Sequence, residues 1–593
     1  MRTRPLVVSI VVLILFVCAA IVPRAQVPPP VFTDAKRGAT LATAFPEVER
    51  IFTTWIERAH VPGAAMGIIV DGELAWVHTA GVSDTVAKRP VTPDTVFRIA
   101  SMTKSFTALA ILKLRDEGKL SLDDRVATYV PELASLKYPT EDSPAITIRH
   151  LLSHSEGFPE DNPWGDRQLA RTQAEISAWM RQGIPFSTAP GTAFEYSNFG
   201  FAILGQVVER VAKRPYAEYI TQQILLPLGM RDTTFERARI PSDRMARGYR
   251  WEDNAWVEEP MLPHGTFGAM GGIWTSTRDL ARYVVYHMSA WPPRDGADNG
   301  PVKRSSLREQ QQVARWEPGR ATRRAVSEPL ELSGGGYGFG LAISQSCRFQ
   351  YIVDHGGGLP GYGSLMLWLP DYGVGLIGMA NRTYAGWHGV FTDSLAALAK
   401  TGALKPRVVQ PSPALVQAKA DVSRLVTRWD AALADKIAAD NLFLDQNAER
   451  RAARVRELAE AHGACTPDSA IEADNALRGT WRMTCERGWL NVGITLAPTE
   501  PPRVQFLRVQ SVLPPGREMT AAIEAARPRI AAETAGWGTC RVGEAVGGDG
   551  VTTSVVRLAC ERGQLDARLA LDPGTHELTQ LTLMPDFGAA CVP

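Results

Sequence analysis

Three short motifs lie far apart in this 593-residue chain, and the fold must bring them together if they are to act as one. They are Ser101-Met-Thr-Lys104, Tyr196-Ser-Asn198 and His355-Gly-Gly357. Between them they supply a hydroxyl, an amine, a phenol, an amide and a glycine-lined strand. Residues three apart share one face of a helix, and Ser101 and Lys104 have that spacing. The stretch Ser105 to Leu114 contains good helix formers and neither Gly nor Pro, so it reads as a largely buried helix. Ser101 is then expected at the helix N-terminus, where free N–H groups favour developing negative charge. A serine attacks carbonyls at neutral pH only with a base beside its hydroxyl, and Lys104 is placed to be one.

Singly these motifs are weak. Ser-x-x-Lys usually marks a capping serine and a solvated lysine, and His-Gly-Gly alone is a turn. Their conjunction in this order, with a strand carrying the third, is what a penicillin-binding or serine β-lactamase site requires. Longer matches accompany them: Phe97 to Lys104, Leu151-Leu-Ser-His-Ser-Glu-Gly157, Gly268 to Thr277 and His355-Gly-Gly-Gly-Leu-Pro-Gly361. On these residues the segment from about 40 to 400 resembles the class C β-lactamase-like serine hydrolases. That group includes D-alanyl-D-alanine carboxypeptidases, D-aminopeptidases and β-lactamase-like esterases.

The resemblance implies roles. Ser101 is the nucleophile that becomes acylated, Lys104 helps to deprotonate it, and Tyr196 passes protons to and from the leaving group. Either Lys104 or Tyr196 is the base. Asn198 orients Lys104 and binds the acyl amide. The backbone N–H groups of Ser101 and Gly358 form the oxyanion hole, with Gly357 beside them on the strand. His355 departs from the lysine of class C β-lactamases. Imidazole, with a reference pKa near ~6.5, is a weaker anchor for a substrate carboxylate than a permanent cation. Peptidase or esterase activity is therefore expected over efficient β-lactam hydrolysis. A penicillin-acylated sensor with little turnover is the alternative.

No cofactor or metal is expected. His150 and His154 are four apart, but no nearby Cys, Asp or His completes a zinc pattern. The balanced charge, +1 overall, argues against nucleic acid as a partner. The substrate is expected to be a small molecule or peptide.

The expected fold class is α+β, a β-lactamase/transpeptidase-like antiparallel sheet with a helical subdomain. Asp71-Gly72 marks a hairpin turn, and Tyr351 to Met379 reads as a meander. The sheet would join these sequence-distant strands across residues 30–400, with the site in the cleft between sheet and helices. Residues 1–25 read as a signal peptide, basic and then apolar over 6–22, which otherwise serves as an N-terminal membrane tether. The protein is expected to be exported, periplasmic or secreted.

Residues 401–413 form a proline-rich linker, and 414–593 an accessory region. That region is duplicated, over about 430–510 and 511–593. Cys465 and Cys485 have the spacing of Cys540 and Cys560, and both second cysteines open Cys-Glu-Arg-Gly. Each copy is expected to be a helix followed by an antiparallel sheet, stapled by its own disulfide. Cys347 and Cys591 are left over, to pair or stay free.

Overall fold

The computed structural model describes residues 27–323, 331–468, 470–561 and 563–585. The expected signal or anchor over 1–25 and Cys591 lie outside them. Among the described residues no helix is long and apolar enough to cross a membrane. The chain divides into two compact units, one of residues 409–514 and the other of 29–408 with 515–585. The two halves of the duplication fall on different sides of that division.

In the larger unit nine strands form one sheet. We label them β1 (Gly63–Val70), β2 (Glu73–Asp84), β3 (Arg89–Pro90), β4 (Arg315–Thr322), β5 (Glu331–Tyr337), β6 (Ala342–Ser346), β7 (Ile352–Leu359), β8 (Tyr362–Leu369) and β9 (Val374–Ala380). Their order is β3-β2-β1-β9-β8-β7-β6-β5-β4. The sequence-distant strands meet at β1 and β9, where Ala64 lies opposite Ala380 and Val70 opposite Val374 in antiparallel register. The β1–β2 turn puts Asp71 at φ 52° and Gly72 at φ 89°, the left-handed pair that matches hairpin twist. Arg37, almost wholly buried, holds the Asp71 carboxylate at 2.6 Å.

Successive side chains in a strand point to opposite faces, and here both faces are covered. Ala65 and Ile69 of β1 join a core with Phe106, Phe201 and Trp274, whereas Ala64, Met66, Ile68 and Val70 join another with Phe52, Trp55 and Trp387. β8 divides in the same way, with Met366 and Trp368 on the first face and Leu365 and Leu367 on the second. Every residue of β1, β8 and β9 is buried, so these strands read as continuous apolar runs. The helices on the first face include α1 (Thr103–Asp116) and α2 (Asn198–Ala212), which carry Lys104 and Asn198. The class is α+β.

In the 409–514 unit, the helix Ala448–His462 precedes strands Cys465–Pro467, Arg478–Cys485, Trp489–Leu496 and Val504–Val512. Residues 515–585 repeat the plan, with the helix Arg517–Glu533 followed by four strands in sequential antiparallel order. Cys465 is bonded to Cys485 and Cys540 to Cys560, each pair directly opposite across its ladder. Cys347 is also disulfide-bonded. The recurring Glu after the second cysteine has a structural reason. Glu486 packs against Gly463, and Glu561 against Gly538, two residues before the first cysteine of each pair. Both glycines have positive φ, 72° and 76°, and an added Cβ would lie 2.2 and 2.5 Å from the carboxylate oxygen.

Each disulfide closes a loop with a sequence separation of 20 residues. Closing such a loop restricts the unfolded chain and is worth about 3 kcal/mol. The double variant Cys465→Ala/Cys485→Ala should lose about that much in denaturant unfolding of its unit. Peptide mapping of the non-reduced protein should recover the two within-repeat pairs; a Cys465–Cys540 peptide would contradict them.

Candidate active site

Ser101 is held by a distorted backbone. Ile99 is fixed on both sides, its N–H donating to Ile273 O at 3.1 Å and its carbonyl accepting from Ser364 Oγ at 3.0 Å. Ala100 then adopts φ 49°, a conformation costly for a residue with a Cβ and kept only where the surroundings impose it. The chain enters a 3₁₀ turn over Ala100–Met102 before the helix begins at Thr103. Ser101 therefore sits in that turn, which leads directly into the N-terminus of α1 at which the sequence places it. The i to i+3 relation survives, and Lys104 Nζ lies 3.1 Å from Ser101 Oγ.

Lys104 is fully buried, and its ammonium meets no carboxylate within ion-pair distance among the described residues. Its Nζ has three polar contacts: Ser101 Oγ, Asn198 Oδ1 at 2.6 Å and Met270 O at 3.2 Å. Two of these groups can only accept. A neutral amine has two N–H bonds and one lone pair, so with Asn198 Oδ1 and Met270 O taking the hydrogens the lone pair faces Ser101. Burial favours that neutral state and pulls the Lys104 pKa down to about 7, against the carboxylates of Asp166 and Asp161.

Asn198 opens α2. Asp161 fixes this end of the helix, accepting from the backbone N–H of Asn198 and of Phe199, both at 2.8 Å. Asn198 Nδ2 donates to Asn162 Oδ1 at 2.6 Å, which leaves Oδ1 for Lys104. Tyr196 precedes this turn, its ring centre 4.7 Å from Lys104 Nζ. Burial pushes its pKa far above the usual phenol value, so Tyr196 holds its proton through the neutral range.

The third motif lies on β7. An added Cβ at Gly357 would come within 2.1 Å of Ile99 O, so only glycine lets the strand approach the turn that holds Ser101. At Gly358 it would meet the Tyr384 ring at 2.5 Å. His355 is buried, and both ring nitrogens are engaged. Nδ1 lies 2.6 Å from Gly356 O and Nε2 2.8 Å from the Tyr337 hydroxyl. Since a carbonyl only accepts, Nδ1 carries the proton and Nε2 receives Tyr337. Burial, reinforced by Lys104, drops its pKa to about 3. His355 thus presents neither charge nor a spare ring donor.

The two other histidines separate. The helix over Ile148–Leu152 ends before His154, and His150 closes that helix's capping box with Thr147. His154, at φ 52°, has Nδ1 accepting from Ser197 N at 3.0 Å and its carbonyl accepting from Glu195 N at 2.9 Å. Its ring packs 4.4 Å from that of Tyr196. It braces the Tyr196 segment from behind. No group of three potential metal ligands occurs among the described residues.

Sequence reasoning missed the Met270 carbonyl, Asp161, Asn162, Tyr337 and Asp166. Asp166 is 4% exposed and receives the Tyr384 hydroxyl on Oδ2 at 2.9 Å. Its turn packs on Asn198, since a Cβ on the preceding Gly165 would meet Asn198 Cβ at 2.6 Å. The run Pro159 to Asp166 has no periodicity to mark any of its members.

Several known proteins are similar to this chain. Penicillin-binding protein 4* of Bacillus subtilis (strain 168) is 28% identical over 347 residues, 56% of this chain and 71% of that protein. Protein flp of Staphylococcus aureus (strain MW2) is 29% identical over 341 residues, and the match spans 62% of its length. Among solved structures, the octameric penicillin-binding protein homologue from Pyrococcus abyssi aligns at TM-score 0.49 and 21% identity, over 91% of this chain and 98% of that one. A class C β-lactamase aligns at 0.47 and 19%, over 60% and 96%. The family model described as Beta-lactamase matches residues 48–400, which include every motif of the site, and the chain belongs to that family of serine acyl-transfer enzymes.

Proposed function

We propose that this protein is a serine hydrolase forming an acyl-enzyme at Ser101, acting on amide, ester or lactam carbonyls as a D-peptidase or esterase. The observation that carries the reading is the set of Lys104 Nζ contacts, two with groups that can only accept and one with Ser101 Oγ at 3.1 Å, which in the neutral amine leaves the lone pair to the serine. Lys104 takes the serine proton as Oγ attacks. The backbone N–H groups of Ser101 and Gly358 receive the developing oxyanion. Tyr196, a neutral phenol, relays the proton onward to the leaving group. Water then repeats the sequence on the acyl-enzyme. The two disulfides suit an oxidising compartment, in keeping with export.

Fluorophosphonate labelling mapped by mass spectrometry, followed by turnover on a small ester, a D-Ala-D-Ala peptide and a cephalosporin, tests the reading. Labelling at a residue other than Ser101 would refute the assignment. Labelling with no turnover on any substrate would make the protein a sensor instead.

The neutral His355 adds a selectivity prediction. A hydrogen bond to a charged group is worth about 1.5–3 kcal/mol, or roughly tenfold or more in binding. A penicillin, which carries a carboxylate, should be hydrolysed at pH 7 at least about tenfold less efficiently than a neutral ester. His355→Lys should narrow that gap, mainly through KM. Equal kcat/KM for both substrates in the unaltered protein would defeat the argument.

A further inference from the structure

A cavity of about 410 Å³ lies against the Asp161 loop and the start of α2, within the size range of small-ligand pockets. Its walls include Phe158, Trp164, Trp179 and Phe199, and its charged lining residues are Glu160 and Asp161. No Lys, Arg or His lines it. Ser197 and Phe199, which flank the Asn198 that holds Lys104, both belong to the wall. The carboxylates of Glu160 and Asp161 are close enough to raise the pKa of Tyr196. Contents of the cavity would therefore sit against the segment that carries Tyr196 and Asn198.

The lining has one chemical character. Trp164 and Trp179 meet at 45° with ring centres 5.4 Å apart, making adjoining aromatic walls rather than a sandwich. Trp164 is 49% exposed, a large apolar ring left uncovered at the cavity's edge. The negative face of an indole attracts a cation. Trp179 shows this already, with the Arg171 guanidinium 5.2 Å from its ring centre. That guanidinium is balanced by Glu175 at 2.7 Å, so it does not offset Glu160 and Asp161. Aromatic walls with two carboxylates and no cationic side chain in the lining favour a positive charge carried on an apolar body over a carboxylate.

We propose that this cavity receives an organic ammonium group, protonated or quaternary, on the substrate that acylates Ser101. The inference rests on the acyl-enzyme reading and names its substrate class. It agrees with His355, which offers an anionic substrate no charge.

The test uses the full chain and a pair of isosteres, choline and 3,3-dimethyl-1-butanol, with calorimetry on Ser101→Ala so that no turnover intrudes. Choline should bind about tenfold more tightly than its neutral isostere, and Trp179→Leu should weaken choline about tenfold. Should Trp179→Leu fail to fold, Glu160→Gln at the exposed rim should weaken choline about threefold and flatten its salt dependence. In the unaltered enzyme, acetylcholine should exceed 3,3-dimethylbutyl acetate in kcat/KM by about the same tenfold. Equal affinity for the isosteres, or choline binding insensitive to both substitutions, would overturn the proposal. A protein that labels at Ser101 yet ignores the charge sinks this inference alone. One that binds choline in the cavity but never labels at Ser101 sinks the acyl-enzyme reading, and with it the assignment of choline's site to a substrate.

Discussion

Replacing Ser101 by alanine should remove all covalent labelling while leaving thermal unfolding nearly unchanged. Among the described residues its Oγ is the only hydroxyl bonded to Lys104 Nζ, and it fills little of the core. A signal that persists at the original level in Ser101→Ala would place the nucleophile elsewhere. Turnover should fall to the level set by the remaining oxyanion donors and binding alone. For comparable nucleophile removals that loss is on the order of 10⁶-fold in kcat.

Substituting Lys104 should be nearly as damaging, and its pH profile should say why. General-base assistance is worth about 10²–10⁴-fold, so Lys104→Ala and Tyr196→Phe should each lose turnover in that range. Lys104→Arg keeps the positive charge but gives no base, and should fare no better. Only the neutral form of Lys104 can accept the serine proton, so kcat/KM should rise with pH through about 7 and then level off. Asp166, pushed up to about 6 chiefly by burial, ionises in the same range. Its negative charge holds the proton on Lys104, so the rising limb belongs to the pair. Asp166→Asn removes that charge and should move the limb to lower pH. A limb that stays in place in Asp166→Asn, or a flat profile from pH 5 to 9, would remove Lys104 from the role of base. His355, with its pKa near 3, contributes nothing to this range.

The parts of the site legible in the sequence were those fixed by local spacing. Ser101 and Lys104 are bound by a helical interval, and even the 3₁₀ turn at Ala100–Met102 did not break it. β1, β8 and β9 were legible because strands buried on both faces appear as unbroken apolar runs. The Gly-rich β5, whose Gly334 to Gly336 carry no side chains, gave no such pattern and hid Tyr337. Asp166 and Asn162 lie in an aperiodic loop, and only its return against Asn198 gives them meaning. The left-handed backbones of Ala100 and His154 are imposed by distant partners. No neighbouring residue announces them. In the C-terminal half, repetition did what periodicity could not, since two copies with one cysteine spacing pointed to the pairing found.

The pairing of β1 with β9 has a consequence for how the molecule comes into being. Strand β1 is made early in synthesis, yet one whole edge of it stays unpaired until Ala380 and its neighbours exist. Contacts this remote in sequence are slow to form, because the chain entropy must be surrendered before any ladder bond rewards it. Helix α1 can form long before, but the β7 strand that walls Ser101 is placed only when the meander docks. A nascent chain would therefore hold Ser101 without Gly358, the second of the two proposed oxyanion donors. Hydrolytic competence would arrive late and all at once, as a property of the finished sheet.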